Sequence, residues 1–243
     1  MGKKYNKMKR IVQMNDLHIP FHDKKTLNAV FDFLEDFKPH QIVLCGDVLD
    51  FYELSRFDKN PNRKDTIQDE LNQCRDIVNN LRKLCDELHF IKGNHEDRLR
   101  RFLWQNPSLA SLKVLELPSL LGLRENEYHD FEYIYNDFRF THGSMVRSES
   151  GQTAKAELMK YGSSMAHGHT HRLGMYMKTD ARGTIAAYEM GCLCDTNPEY
   201  INGIPNWQQG IGVYFFDDNH FHCEQIPILK HKFIYGGKIY GNY

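Results

Sequence analysis

The chain of 243 residues carries 31 Lys plus Arg against 32 Asp plus Glu, for a formal net charge of −1. That length supports a sizeable buried core, and the even balance leaves no global field for nucleic acid or a membrane surface, so an anionic ligand must be held by a local patch. The six cysteines are few and lack Cys-x-x-Cys spacing, the basic residues 1–10 run into a strand-like segment rather than a long apolar region, and no stretch reaches the length of a membrane span; reduced core thiols in a cytoplasmic protein are expected.

A buried strand is predicted over residues 10–16, followed by a loop at 17–22, and the two present Asp16 and His18. Leu27, Val30, Phe31, Leu34 and Phe37 recur at helical spacing behind Asp23, a suitable N-cap, and Pro39 ends that helix. A second strand at 41–45 ends in Gly46-Asp47-Val48-Leu49-Asp50; strand, helix, strand in this order implies parallel pairing through a right-handed crossover. Beyond a polar loop at 51–64 with Arg56, Lys59, Arg63 and Lys64, a helix over 66–86 places Ile67, Leu71, Cys74, Val78, Leu81 and Cys85 on one face. A third strand, Leu88-His89-Phe90-Ile91, delivers Gly93-Asn94-His95-Glu96. Residues 98–121 read as helix interrupted at Pro107 and Pro118. Strands at 131–135 and 137–141, joined at Asn136-Asp137, end in His142-Gly143. A helix at 153–161 precedes Gly168-His169-Thr170-His171, and strands follow at 175–178, 184–190, 212–216 and 220–226, the last two joined at Asp217-Asp218-Asn219. The basic, aromatic and Gly-rich tail, 229–243, is expected to be poorly ordered or to contact another copy. The whole reads as one domain, 1–243, with its motifs in 16–171 and its late strands in 173–228.

Five strand ends thus present Asp16 with His18, Asp47 with Asp50, Asn94 with His95, His142, and His169 with His171. A carboxylate able to bridge, further carboxylates, an amide oxygen and several imidazoles are what two divalent cations at close separation require. The order D-x-H, G-D-x-x-D, G-N-H-[DE], a later His-Gly and a final G-H-x-H, from Asp16 to His171, resembles that of the calcineurin-like metallophosphoesterases. The resemblance implies an α/β fold, a four-layer α/β/β/α sandwich with metal ligands on loops at strand ends. It implies that Asp16, His18, Asp47 and His171 bind one metal, that Asp47, Asn94, His142 and His169 bind the other, that His95 is an outer-sphere acid and that Asp50 stands behind the ligands. Phe51-Tyr52 after Asp50, and Lys92 before Gly93, depart from the Asp-Arg-Gly and Arg usual in the protein serine/threonine phosphatase branch. The chain also lacks room for the capping domain of the large DNA-repair nucleases of that superfamily.

Mixed oxygen and imidazole ligation suits two divalent cations, Mn²⁺ first and Fe, Zn or Ni otherwise. Two such ions lower the pKa of a bridging water, giving a hydroxide for in-line attack on phosphorus, and His95 as general acid contributes about 10²–10⁴-fold. Arg98, one turn beyond His95, either contacts a phosphate or faces solvent. The function expected is a dinuclear metal-dependent phosphodiesterase acting on nucleotides or nucleic acid, a preference motivated by the basic loop with Tyr52 and Phe57 and by the tail. The alternatives are a phosphomonoesterase acting on protein or small molecules and a non-catalytic metal-binding module of the same fold. An amidohydrolase is disfavoured because His-x-His comes last rather than on the first strand. His22, His167, His220 and His222 are read as surface or hydrogen-bonding histidines, and dimerisation stays open.

Overall fold

The computed structural model describes residues 8–198, 201, 203–218 and 220–241. In chain order the elements are β1 (Lys9–Met14), α1 (Lys24–Phe37), β2 (Gln41–Cys45), α2 (Ile67–Leu81), β3 (Glu87–Ile91), α3 (Asp97–Gln105), α4 (Pro107–Ala110), α5 (Leu117–Leu121), β4 (Tyr128–His129), β5 (Glu132–Tyr135), β6 (Phe138–Thr141), α6 (Gln152–Tyr161), β7 (Met165–His167), β8 (Leu173–Asp180), β9 (Gly183–Met190), β10 (Gln209–Phe216), β11 (Phe221–Ile228), β12 (Phe233–Tyr235) and β13 (Lys238–Tyr240). One sheet has the order β11-β10-β1-β2-β3-β4, parallel from β1 to β4 and antiparallel at β10 and β11. The other has the order β5-β6-β7-β9-β8, with β6, β7 and β9 parallel.

Alternating residues of the central strands serve opposite faces. Ile11, Val43, Cys45 and Ile91 turn toward Phe138, Phe140, Ala166 and Tyr188 of the second sheet and fill the layer between the sheets. Val12, Met14, Ile42, Leu44 and Phe90 turn the other way, onto Leu27, Val30, Phe33 and Leu34 of α1 and Leu71, Cys74, Val78 and Leu81 of α2. On the far side, Ala154 and Leu158 of α6 pack on Met165 and Ala187. Helices, sheet, sheet, helix is the four-layer α/β/β/α sandwich. Because the parallel strands all point one way, the loops after β1, β2, β3, β6 and β7 gather at one edge, where open α/β sheets place their sites.

Asp23 caps α1, accepting the N–H groups of Lys25 and Thr26 at 3.0 Å each. The second predicted helix ends early, at Leu81 rather than 86, because the N–H groups of Lys83 and Leu84 bond three residues back and Arg82 is drawn to the carboxylate of Glu127 and the Gly122 carbonyl. Pro107 opens α4, and a short strand, β4, lies in what reads as a polar stretch. Asn136 and Asp137, both at positive φ, make the expected hairpin turn.

The tail is the main correction. Residues 233–240 form an antiparallel hairpin turned at Gly236-Gly237, both at positive φ. Phe233, Tyr235 and Tyr240 pack edge-on to Phe33 at ring separations of 5.6, 5.1 and 5.4 Å, while Lys238 and Tyr240 engage Asp36. The aromatic content that suggested a loose tail covers the outer face of α1 instead. Residues 1–7, Asn219 of the expected turn, and residues 242–243 of the tail lie outside the described residues.

Glu70, in the first turn of α2, is buried and accepts the N–H of Phe51, whose own φ is 50°. Burial, aided by Asp50 and Glu96, pushes its carboxyl up to about 8 against the pull of the Phe51 N–H and Arg98. The folded state therefore holds the proton more tightly than the unfolded chain, so this contribution is complete below about pH 4.5 and is lost as pH rises through about 8. Glu70→Gln keeps the acceptor without the charge. It is expected to melt close to the parent at pH 5 and to be more stable at pH 8.5, on the order of 2–4 kcal/mol. Thermal melts at the two pH values check this, and a pH-independent difference would contradict it.

Candidate metal centre

Each donor sits on the first residues after a strand, and five of the seven are held there by backbone that ordinary residues seldom adopt. Asp16, His18, Asp47, His169 and His171 all lie at positive φ, between 47° and 66°. Non-glycine residues in that region are strained by about 1 kcal/mol or more each, and such strain collects at functional sites. The neighbouring glycines supply clearance. A Cβ on Gly93 would lie 2.2 Å from Asp47 Oδ1, and one on Gly168 would lie 2.3 Å from Asp16 Oδ2.

Two groups of side chains result. In the first, Asp16 Oδ1 lies 3.2 Å from His171 Nε2 and 3.9 Å from His18 Nε2, and the two imidazole Nε2 atoms face each other at 3.1 Å. In the second, His142 Nε2 lies 3.2 Å from Asp47 Oδ2 and 2.9 Å from Asn94 Oδ1, with the His169 ring 4.9 Å from that of His142. Asp47 Oδ2 also faces His18 Nε2 at 3.8 Å, so this carboxylate stands between the groups. Its Oδ1 accepts the His95 N–H at 2.8 Å, and Asp16 accepts the His169 N–H at 2.9 Å. Asp16, Asp47 and His18 are at most 2 % exposed, whereas Asn94 is open to solvent.

The donor chemistry fits divalent cations. His142 Nδ1–H donates to the Cys45 carbonyl at 2.9 Å, which leaves the Nε2 lone pair aimed at a carboxylate and an amide oxygen. His18 Nδ1–H likewise donates to Asp50 Oδ2 at 3.0 Å and turns Nε2 toward Asp16, Asp47 and His171. Acceptors that converge on acceptors need a cation between them. The electrostatics of the donors point to the same deficit of positive charge. Burial disfavours the charged form of His142, yet Asp47 and Asp16 push its pKa up to about 10; His171 is raised to about 9 by Asp16 against its burial. Asp47 is held well below the usual carboxylate range because His142, His95 and His18 outweigh its burial. His169 is lowered to about 4 by burial and by His142, which keeps its ring neutral and able to donate a lone pair.

Beside these donors, His95 Nδ1–H donates to the Asp50 carbonyl at 3.1 Å, and its Nε2 lies 3.8 Å from Asp47 Oδ2. Arg98 binds the Asp50 carbonyl and carboxylate at 2.8 and 3.0 Å and approaches His95 Nε2 at 3.1 Å. It is thus tied into the site rather than laid along a solvated helix face. Sequence reasoning missed the role of Glu96. Its buried carboxylate accepts the N–H groups of Gly93, Asp47 and Leu49 at 2.7, 3.0 and 2.9 Å and lashes the β2 and β3 loops together. Burial and the charge of Asp47 raise it to about 7. The signal was present as the acidic residue that closes Gly-Asn-His-Glu. Also missed were Trp207, whose ring lies 4.4 Å from His171, and Cys194, whose thiol sits 3.8 Å from His171 Nδ1.

All six cysteines are free thiols. His220 and His222 are exposed and pair with Asp217 and Glu224. His167 is no surface residue: it is fully buried at the end of β7, donating Nδ1–H to the Gly168 carbonyl at 2.8 Å, because its strand lies inside the second sheet. His22 is partly buried, with burial and Lys24 lowering it to about 4.

Comparison with known proteins defines the class. The model of the calcineurin-like phosphoesterase family matches residues 9–173, and the chain belongs to that family. The chain is 30% identical over 251 residues to the Gene 54 protein of Mycobacterium phage L5, covering 96% of this chain and 98% of that protein; the same identity and coverage hold for the Gene 54 protein of Mycobacterium phage D29. Among solved structures it resembles Vps29 of Chaetomium thermophilum with a TM-score of 0.53 at 13% identity, over 91% of this chain and 92% of that one. Vacuolar Protein Sorting 29 of Cryptosporidium parvum gives 0.51 at 13% identity, over 96% and 94%. Those two likenesses show the fold. Among the described residues, no helix is long and apolar enough to cross a membrane.

Proposed function

We propose that the chain is a dinuclear metal-dependent phosphodiesterase acting on nucleotides or nucleic acid. The observation that carries the reading is the position of Asp47, whose carboxylate stands between Asp16, His18 and His171 on one side and Asn94, His142 and His169 on the other. Those two sets, each completed by Asp47, would hold the cations, with Mn²⁺ the first choice and Fe, Zn or Ni the others. Bound there, the ions supply Lewis acidity at phosphoryl oxygens and lower the pKa of water.

The chain's own residues do the rest. Asp50 orients His18 through Nδ1 and His95 through its carbonyl. His95 Nε2 lies 3.8 Å from Asp47 Oδ2 and accepts from Arg98; with Arg98 turned onto a phosphoryl oxygen as a fixed positive charge, that nitrogen is free to carry a proton to the leaving oxygen. A diester is favoured over a monoester by the cleft beside Asn94, lined by Arg98, Arg101 and Phe102, which can take the group carried by the leaving oxygen. The six free thiols support a reducing, cytoplasmic setting.

Hydrolysis of bis-p-nitrophenyl phosphate beside p-nitrophenyl phosphate, with Mn²⁺ added, tests the reading. The diester is expected to turn over at least about tenfold faster. Cleavage of the monoester alone would establish a phosphomonoesterase, and metal binding without turnover would establish a binding module.

A further inference from the structure

Asn94 lies where two clefts meet. The first, about 630 Å³, is lined by Arg56, Phe57, Asn94, Arg98, Arg101 and Phe102 among its walls. The second, about 500 Å³, shares Asn94 with the first and is lined by His142, His169, Phe131, Lys160 and Tyr161. Asp16, Asp47 and Asp50 are at most 2 % exposed, so a reacting phosphorus enters at the Asn94 junction. Both substituents of a diester held there have a cleft to follow. A substrate bounded on one side, such as a monoester or a terminal nucleotide, would leave one cleft empty.

The clefts differ in charge. No carboxylate lines the first, which carries three guanidinium groups, and Arg101 makes no ion pair among the described residues. In the second, Asp97 and Asp130 pair with Lys92 and Arg100. Arg98 is held by Asp50, which leaves Arg56 and Arg101 as the cations of the first side suited to backbone phosphates. Both sides also expose aromatic faces that the core does not use, with Phe57 67%, Phe102 41% and Phe131 75% exposed. Exposed rings beside basic groups stack unpaired bases; the bases of a duplex are already stacked on one another and cannot reach them.

We propose that the two clefts are one path for an unpaired polynucleotide strand, which crosses the metal centre at Asn94, and that the chain cuts such strands internally. The proposal rests on the phosphodiesterase reading. Each cut consumes one water: its oxygen bonds to phosphorus, the P–O bond to one sugar oxygen breaks, one water proton passes to that leaving oxygen, and the other stays on the new phosphate monoester or is lost to solvent.

Two measurements test this. With Mn²⁺, the full chain is given circular single-stranded DNA, a single-stranded RNA and the DNA sequence as duplex, beside bis-p-nitrophenyl phosphate. Opening of the circle is expected, at a rate at least about tenfold above that on the duplex; internal cuts in the RNA, with the circle intact, would keep the path and assign the strand to RNA. Separately, a fluorescein-labelled 20-mer of thymidylate is titrated into metal-free protein in EDTA. Phe102→Ala is expected to weaken binding about tenfold, and Arg101→Ala to reduce the slope of log affinity against log salt by about 0.7. Equal rates on duplex and single strands, trimming of ends with the circle intact, or unchanged binding by both variants would overturn the proposal. If bis-p-nitrophenyl phosphate is cleaved in those cases, the phosphodiesterase reading stands and only the strand path falls; if it is not cleaved, both fall.

Discussion

Asp47→Asn is expected to lose metal and turnover together, with kcat/KM for a diester down by about 10³-fold or more, equivalent to ~4 kcal/mol of transition-state stabilisation. Asn is nearly isosteric, so the φ of 47° and the bond from the His95 N–H to Oδ1 can persist. What disappears is the charge. The atom facing His142 Nε2 at 3.2 Å and His18 Nε2 at 3.8 Å becomes an amide atom, neutral in either orientation. The largest favourable influence on His142 in the metal-free chain is the Coulomb pull of Asp47, so that ring loses the partner which holds its pKa at about 10. Both donor groups lose their common carboxylate at once. Metal content by mass spectrometry and the rise in melting temperature on adding Mn²⁺ should therefore fall together, while Asp50→Asn, which touches His18 and His95 from behind, should spare most of the metal. An Asp47→Asn protein that still takes up two metals would rule out the shared carboxylate.

Much of this site was legible in the chain because every donor follows a short apolar run and is marked by Gly or Asn. The parallel connectivity then carries all the runs to one edge, so Asp16 and His171, 155 positions apart by number, come within 3.2 Å. Other features rest on information that a linear pattern does not contain. Glu96 reads as a charged helix start, and only the approach of the β2 loop turns it into an acceptor for three N–H groups. His167 follows Met165-Ala166, too brief a run to mark β7 as a buried strand. The tail misled for the opposite reason. Its composition suggested looseness, yet Gly236-Gly237 between Phe233-Ile234-Tyr235 and Lys238-Ile239-Tyr240 is a hairpin signal, and burial against Phe33 and Phe37 decides the matter. The clefts were least legible of all, since their walls join the loop around Arg56 to α3 and the β3 end to α6.

His95→Asn separates proton donation from metal binding. His95 touches Asp50 through Nδ1, Arg98 through Nε2 and Asp47 through its own backbone N–H, and its side chain is not a member of either donor set around Asp47. Metal content is therefore expected to stay at the parent level. Burial alone would lower the pKa of this ring, but Asp47 and Asp50 outweigh both burial and Arg98 and hold it above the ordinary histidine value. A proton held more tightly than on a free imidazole suits a leaving oxygen that needs one. The loss on replacement should then scale with the leaving group. For an alkoxide leaving group, as in a dinucleotide, turnover is expected to fall by about 10²–10⁴-fold, whereas p-nitrophenolate, which departs without a proton, should be affected by about tenfold or less. The steeper dependence of rate on leaving-group pKa in the variant is the signature, measured over a series of aryl and alkyl diesters. Equal losses on both classes, with metal retained, would assign His95 to binding the phosphoryl group and remove it as the proton donor.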